Sequence, residues 1–420
     1  MDDLKKMEII VVALGSAGDV HPFMGIAIQL QRRGHAVSFL ANAHFEQMVR
    51  DAGLHFHPAG LVDEYSRTVN DPTLWNPTKG VEILWHYFFA PAMTRTYEFI
   101  QRKIATTPCV VLASPMAFGA RLAHERLGVK LITGYLAPAN LRTCHGPLRI
   151  AGATIAAWVP RWCRRMLWWY IDQRILDPLM CPALNEYRRK LGLDPVHRVF
   201  DGWDCKEDLS IALFPEWFAE RQPDWPAHFT AGDFPLFDSA SADGLPVELE
   251  SFLRDGDPPL VFMPGSAMQH AKDFFQTSLD ACIEIGCRAI FLTQNRGQIP
   301  KNLPPTMKHF AYTPFSQILP RAAGLIHHGG IGSCAQALRA GVPQLIMPMA
   351  YDQFDNAARA QGLGVAVTLK RRNYKNPVVI QRLETLLNSE VMRMKCREVM
   401  QYFHDDHPVD KLCCFIETLA

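Results

Sequence analysis

The sequence predicts an α/β protein of two Rossmann-like, doubly wound domains, with a cleft between the carboxyl ends of their strands. Three observations carry this. Apolar runs that end at glycine, MEIIVVALG (7–15) and PLVFMPGSA (259–267), read as strands buried on both faces. Helical patterns stopped by glycine follow such runs, as in HPFMGIAIQLQRRGH (21–35), which gives the βαβ order of a parallel sheet. The alternation also starts twice, on either side of a Gly-, Ser-, Asp- and Pro-rich stretch, FTAGDFPLFDSASADGLP (229–246), which reads as a linker.

The elements can be taken in order. After the first strand and a Gly-rich turn come the helix from residue 21 and the strand AVSFLAN (36–42). Further units follow with CVVLAS (109–114), the helical AFGARLAHERLG (117–128) and VKLITGYL (129–136). The second half repeats the scheme: a strand into Gly-Ser, a helix over 273–285, then the strands CRAIFLT (287–293), GLIHH (324–328) and QLIMP (344–348). At 420 residues the chain exceeds one ordinary core. Domains are therefore set at 1–235 and 236–400, with 401–420 a C-terminal helix expected to return to the first domain.

Composition narrows the function classes. Hydrophobic residues at 48% and charged ones at 20% describe a globular chain, and a net charge of +1 offers nucleic acid no electrostatic footing. The 11 cysteines include no CxxC and lie among apolar neighbours, as reduced thiols of a cytoplasmic protein do. The first apolar run is too short for a secretion signal. No segment reaches the ~18 uncharged apolar residues of a membrane span.

The stretch GLIHHGGIGSCAQALRAGVPQLIMPMAYDQFDN (324–356) carries the chemistry. A strand ends at two histidines, Gly-Gly bends the chain, and a helix begins. Unpaired N–H groups and the positive end of the helix dipole favour an anion there, and Gly330 and Gly332 allow close approach. His328 adds a donor able to hydrogen-bond or protonate a diphosphate, and Ser333 a hydroxyl. Asp352 and Gln353, opening the next helix, suit neighbouring hydroxyls of a sugar. Gly265 and Ser266, at the first strand end of the second half, are placed for phosphate by the same argument. In GSAGDVHP (15–22), Gly15 and Ser16 would border the diphosphate and Asp19 lies in the turn. Moving a sugar to a hydroxyl needs a base, and a nearby carboxylate can serve. By residue chemistry alone Asp19 could equally cap the following helix, and His21 competes for the role.

HHGGIGS, RAGVPQ and DQFDNA, in that order, resemble the donor-binding signature of the family 1 nucleotide-sugar glycosyltransferases, which have the GT-B fold. GSAGDVHPF, DPTLWNPTKG, LFPEWFA, DFPLFD and AYDQFDN further resemble the rhamnosyltransferases that make mono-rhamnolipid, so the likeness covers almost the whole chain. The resemblance implies that His328, Gly332 and Ser333 hold the diphosphate and Asp352 and Gln353 the sugar. It makes Asp19 the base, and lays the nucleobase against the loop FAYTPFSQILP (310–320), at Tyr312. It implies dTDP-rhamnose as donor and a hydroxy-fatty-acid ester as acceptor; the alternative is UDP-glucose with a polyketide, sterol or similar aglycone. A nucleotide-sugar epimerase and a non-catalytic partner protein on the same fold are the rivals.

No cofactor beyond the sugar nucleotide is expected, and no metal. DGD (255–257) reads as a turn before a strand, and neither HFH (55–57) nor HDDH (404–407) has a third converging ligand. The acceptor side is read from WVPRWCRRMLWWYIDQRIL (158–176) and WHYFFAPAM (85–93). On a helix, Trp162, Met166 and Trp169 share one face and Arg161, Arg164 and Arg165 crowd another. That face either packs into the first domain or forms a greasy acceptor mouth that also makes a peripheral contact with the inner membrane surface.

Overall fold

The computed structural model describes residues 6–203, 206–238, 244–403 and 408–419, so HDDH (404–407) lies outside the described residues. They fall into two compact units, one reaching Pro235 and including the C-terminal helix, the other beginning at Leu236.

The first unit is built on a parallel sheet. Its strands are β1 (Glu8–Val12), β2 (Ala36–Asn42), β3 (His55–Gly60), β4 (Cys109–Ala113), β5 (Lys130–Tyr135), β8 (Leu209–Ala212) and β9 (Phe229–Ala231). A small antiparallel hairpin, β6 (Leu148–Ile150) and β7 (Ala153–Ile155), stands apart. The sheet order is β3-β2-β1-β4-β5-β8-β9. Ile9 to Val12 are wholly buried, as a strand covered by helices on both faces must be. Strand order reverses where β1 meets β4, and in doubly wound sheets ligands bind beyond the strand ends at that point.

The second unit repeats the plan with β10 (Leu260–Met263), β11 (Ala289–Leu292), β12 (Met307–Phe310), β13 (Gly324–His327), β14 (Gln344–Ile346) and β15 (Ala366–Thr368), all parallel, in the order β12-β11-β10-β13-β14-β15. Its reversal lies between β10 and β13, where Met263 pairs with His327.

Two sequence readings need correction. The start of the expected linker is the edge strand β9. Phe229 and Phe234 are buried among Trp217, Phe218 and Trp225, so this Pro- and Gly-rich stretch has apolar work inside the unit. The aromatic run 85–93 is mostly core and not a continuous acceptor surface: Trp85, Phe88, Phe89 and Met93 are buried, while Tyr87 is exposed. The helical path there widens into a π turn over Trp85–Phe89, and Trp85 packs on Phe118.

The helix Pro408–Glu417 completes the first unit. Leu412, Cys413 and Ile416 are fully buried, and Glu417 receives two hydrogen bonds from the Arg33 guanidinium at 2.8 and 2.7 Å. Gln29 reaches Asp410 at 2.6 Å. Among the described residues every cysteine is free, and no helix is long and apolar enough to cross a membrane.

Candidate active site

In the first unit the site starts at the end of β1. Gly15 turns the chain at φ +147° and Ser16 caps the helix Ala17–Arg32. Asp19 folds back onto this turn: its Oδ2 accepts from Ser16 N at 2.7 Å and from Ser16 Oγ at 3.1 Å. A Cβ on residue 15 would stand 2.2 Å from that oxygen, so Asp19 itself requires glycine there. The capping role and the candidate catalytic role therefore coexist, because both hydrogen bonds fall on one oxygen. Burial raises the Asp19 carboxyl above its usual range, and the Ser16 hydrogen bonds only partly oppose this. A carboxylate of raised proton affinity is the better base.

His21 lies on the same helix, with Nε2 at 3.3 Å from Met48 Sδ. Sequence reasoning missed Tyr65, which is buried near Asp19: burial, then the Asp19 charge, push its hydroxyl up to about 12. His44 stacks on Tyr65 at 4.2 Å, and burial lowers its pKa. An aromatic mid-helix in VDEYSRTVN gives no local signal of such a neighbour.

In the second unit the β10–β13 register brings Gly265 and His328 together. The His328 ring lies 3.3 Å from where a Gly265 Cβ would stand, and its Nε2 2.7 Å from the position of a Gly330 Cβ. Both glycines thus make room for one imidazole. Gly330 caps the helix Ile331–Ala340, with Gly332 and Ser333 in its first turn, so the helix amides open beside His328. Burial pushes His328 down to about 4, which makes it a neutral ring at neutral pH. In that state it can exchange hydrogen bonds with an anion at the helix start, one of the two roles its residue type offered in the sequence. The adjacent His327 is structural: wholly buried, it hydrogen-bonds Gln344 Oε1 at 3.0 Å and receives Gly329 N–H at 3.2 Å.

After β14 the chain reaches Tyr351 at φ +56°, a left-handed backbone costly for a residue with a side chain. The loop is held by Gln353, whose buried Oε1 accepts from Met349 N at 2.9 Å and Ala350 N at 3.1 Å. Gln353 therefore shapes the loop, leaving only its amide NH2 to offer a sugar. Asp352 accepts from Asn356 Nδ2 at 2.7 Å, and the same NH2 donates to Gly329 O at 3.0 Å. Asn356, fully buried, ties the turn at Gly329 to the Asp352 loop. It stands in the quoted DQFDNA motif, one helical turn after Asp352, which is the signal that could have found it. Ser266 and Tyr312 are exposed at strand-end loops of this unit.

The helix Arg161–Ile171 is amphipathic in the reverse of the usual sense. Trp158, Trp162, Met166 and Trp169 are 84%, 65%, 58% and 50% exposed, while Arg164 is buried and donates to the carbonyls of Gly146 and Ala157. Arg142 lies over Trp168 at 4.4 Å and pairs with the buried Asp172. The aromatic face of this helix is therefore not core.

Known proteins share this construction. Residues 9–143 match the Glycosyltransferase family 28 N-terminal domain, and residues 277–406 match the Erythromycin biosynthesis protein CIII-like C-terminal domain. An O-mycaminosyltylonolide 6-deoxyallosyltransferase of Streptomyces fradiae is 25% identical, over 99% of this chain and 98% of its own. The crystal structure of the glycotransferase of kitacinnamycin superposes with a TM-score of 0.75 at 16% identity, covering 99% of both chains. A spinosyn rhamnosyltransferase complexed with thymidine diphosphate gives 0.67 at 17% identity, covering 97% of this chain and all of its own. With a glycosyltransferase N-terminal domain matched over residues 9–143, an Erythromycin biosynthesis protein CIII-like C-terminal domain matched over 277–406, and the fold of the solved glycosyltransferases, the chain is similar over nearly its whole length to the GT-B nucleotide-sugar glycosyltransferases of the family 1/28 type.

Proposed function

We propose that this glycosyltransferase moves a hexose from a nucleoside diphosphate to a hydroxyl of a hydrophobic acceptor, with inversion at the anomeric carbon. The observation that carries the reading is the Asp19 carboxylate, anchored through one oxygen at the end of β1 and raised in proton affinity by burial. Its Oδ1 takes the acceptor proton as the hydroxyl oxygen bonds to C1. The C1–O bond to phosphate breaks, and the nucleoside diphosphate leaves with the electron pair. The first amides of the helix Ile331–Ala340, with Ser333 and neutral His328, offset the leaving charge, so the reading needs no divalent ion at the diphosphate. Gly15, Ser16, Gly265 and Ser266 border the phosphates, Asp352 binds sugar hydroxyls, and exposed Tyr312 is offered to the base.

For the donor and acceptor we propose dTDP-rhamnose and a hydroxy-fatty-acyl ester. The exposed Trp158, Trp162, Met166 and Trp169, with Arg161 and Arg165 on the same helix, support apolar acceptor binding and peripheral membrane contact in the cytoplasm. The likeness to an O-mycaminosyltylonolide 6-deoxyallosyltransferase favours a second reading of the acceptor, a polyketide or similar aglycone, and with that alternative we keep a sterol as a further aglycone and UDP-glucose as the donor. Product analysis with each donor against hydroxy-acyl chains of rising length and a panel of aglycones tests this. Expected is a glycoside of inverted anomeric configuration, with kcat/KM climbing up to about fourfold per added methylene until the pocket is filled. No dependence on chain length puts the aglycone ahead. Sugar isomerised without any acceptor makes the chain an epimerase and overturns the proposal.

A further inference from the structure

Away from this machinery, three side chains of different chemistry converge in an open groove of the first unit. The helix Asp177–Lys190 carries Asp177 and Cys181 one turn apart on one face, and His197 comes from the loop that follows. One ligand atom from each, a carboxylate oxygen, Cys181 Sγ and an imidazole nitrogen, lie within 4.8 Å of one another. The loop is pinned where it brings His197 in. Asn185 donates to Val196 O at 2.9 Å and accepts from Val196 N at 2.8 Å. Arg198 N lies 2.9 Å from both oxygens of Asp177. Arg198 adopts φ +53° to do so, a left-handed backbone that costs a residue with a side chain roughly 1–2 kcal/mol. Strain of this kind persists where the surroundings over-determine it, and here it seats an exposed imidazole beside a buried thiol.

We propose that Asp177, Cys181 and His197 form a binding site for one divalent ion of borderline softness, best matched by Zn²⁺, with water as the fourth ligand. Thiolate, imidazole and carboxylate together suit Zn²⁺, whereas Mg²⁺ and Ca²⁺ take oxygen shells. Ionised Cys181 and Asp177 supply two negative charges, which neutralise the ion. Bonds of ~2.0–2.3 Å in a tetrahedron set ligand atoms roughly 3.3–3.8 Å apart, so the trio closes by about 1 Å, and the exposed His197 ring can supply that movement. Without metal, Cys181 is a protonated thiol: burial and the neighbouring Asp177 push it up to about 12, and it hydrogen-bonds that carboxylate. The ion displaces the thiol proton, which is released to solvent. Arg198 turns its guanidinium to Asp201, and Arg189 lines the groove beyond Asn185. The ion staples the loop 191–198 to the helix and takes no part in sugar transfer.

Cobalt(II) is the probe. Titrated into the reduced, metal-stripped full chain, one equivalent of Co²⁺ should give a thiolate-to-cobalt charge-transfer band with tetrahedral d–d absorption, bleached by one equivalent of Zn²⁺. Cys181→Ser should abolish the band. His197→Ala, at an exposed side chain whose loss leaves the fold intact, should weaken Zn²⁺ binding by on the order of 100-fold and remove the Zn²⁺-dependent rise in Tm. A band of equal strength in both variants shows metal on other thiols and overturns the proposal, as does the absence of any band in the unaltered protein.

Discussion

Replacing Asp19 by asparagine separates the chemistry of the carboxylate from its place in the fold. The side-chain amide keeps an oxygen for the Ser16 N–H, which now reaches Asp19 Oδ2 at 2.7 Å, so the start of the helix Ala17–Arg32 is preserved. Because burial raises the Asp19 pKa, the folded chain binds that proton more tightly than the unfolded one. Stability therefore falls as pH rises from the ordinary carboxylate range through the raised value, and above that range the Asp19 carboxyl costs the fold stability. Asparagine removes that cost. The Tm of Asp19→Asn at pH 7 should equal or exceed that of the unaltered protein, with the difference shrinking on acidification. Turnover should fall on the order of 10²–10⁴-fold, roughly 3–5 kcal/mol of transition-state stabilisation, while donor affinity by calorimetry stays within about twofold. Asp19→Ala loses the same catalysis and also the cap, about 1 kcal/mol or some 2–4 °C of Tm. Near-normal turnover in Asp19→Asn would remove the carboxylate from the mechanism and promote His21. A Tm loss matching that of alanine would show that the charge itself holds the turn.

Gly15→Ala places a methyl 2.2 Å from Asp19 Oδ2, so turnover should fall as in Asp19→Asn and stability by about 1–3 kcal/mol; unchanged kinetics would mean that Asp19 is not held on this turn when it works. His328→Ala should weaken nucleoside diphosphate binding by roughly tenfold whichever sugar is attached, and equal affinity by calorimetry would reduce His328 to a spacer over Gly265 and Gly330. Asn356→Ala strips the bonds to Gly329 O and Asp352, costing about 1–3 kcal/mol of stability and raising the donor KM more than it lowers kcat. EDTA should leave turnover unchanged; loss of activity restored by Mn²⁺ would show a metal at the diphosphate.

The parallel sheets were legible because strands buried on both faces leave continuous apolar runs, and β1, β10 and β13 each end where a glycine turn is written. Two aromatic runs of similar composition took opposite fates. Trp85 and its neighbours fill the core, whereas Trp162 and Trp169 face outward. Periodicity shows that a helix has two faces; which one is covered depends on partners far along the chain, here the carbonyls of Gly146 and Ala157 that accept from Arg164. The same limit hid Tyr65, whose neighbours come from other elements, and the reach of Asn356 to Gly329. It also hid that the Gln353 carbonyl closes its own loop, which leaves the side-chain NH2 for a ligand. The capping contact of Asp19 was legible in its spacing from Ser16, and the base we propose for it calls for the same residue at that strand end. The metal-type trio was not legible, because its histidine arrives by way of a backbone turn at Arg198 that residue types do not announce.

The return of the helix Pro408–Glu417 sets an order on biogenesis. A ribosome adding ~5–20 residues per second spends roughly 10–35 s on Leu236–Asp406 after the sheet of the first unit has been made. Throughout that interval Arg33 awaits Glu417, and the edge beside Gly232 awaits Leu412, whose Cδ2 comes to fill it. The earlier half of the chain thus waits, nascent and unsealed, while the later half folds, and it closes only when the helix Pro408–Glu417 has left the exit tunnel.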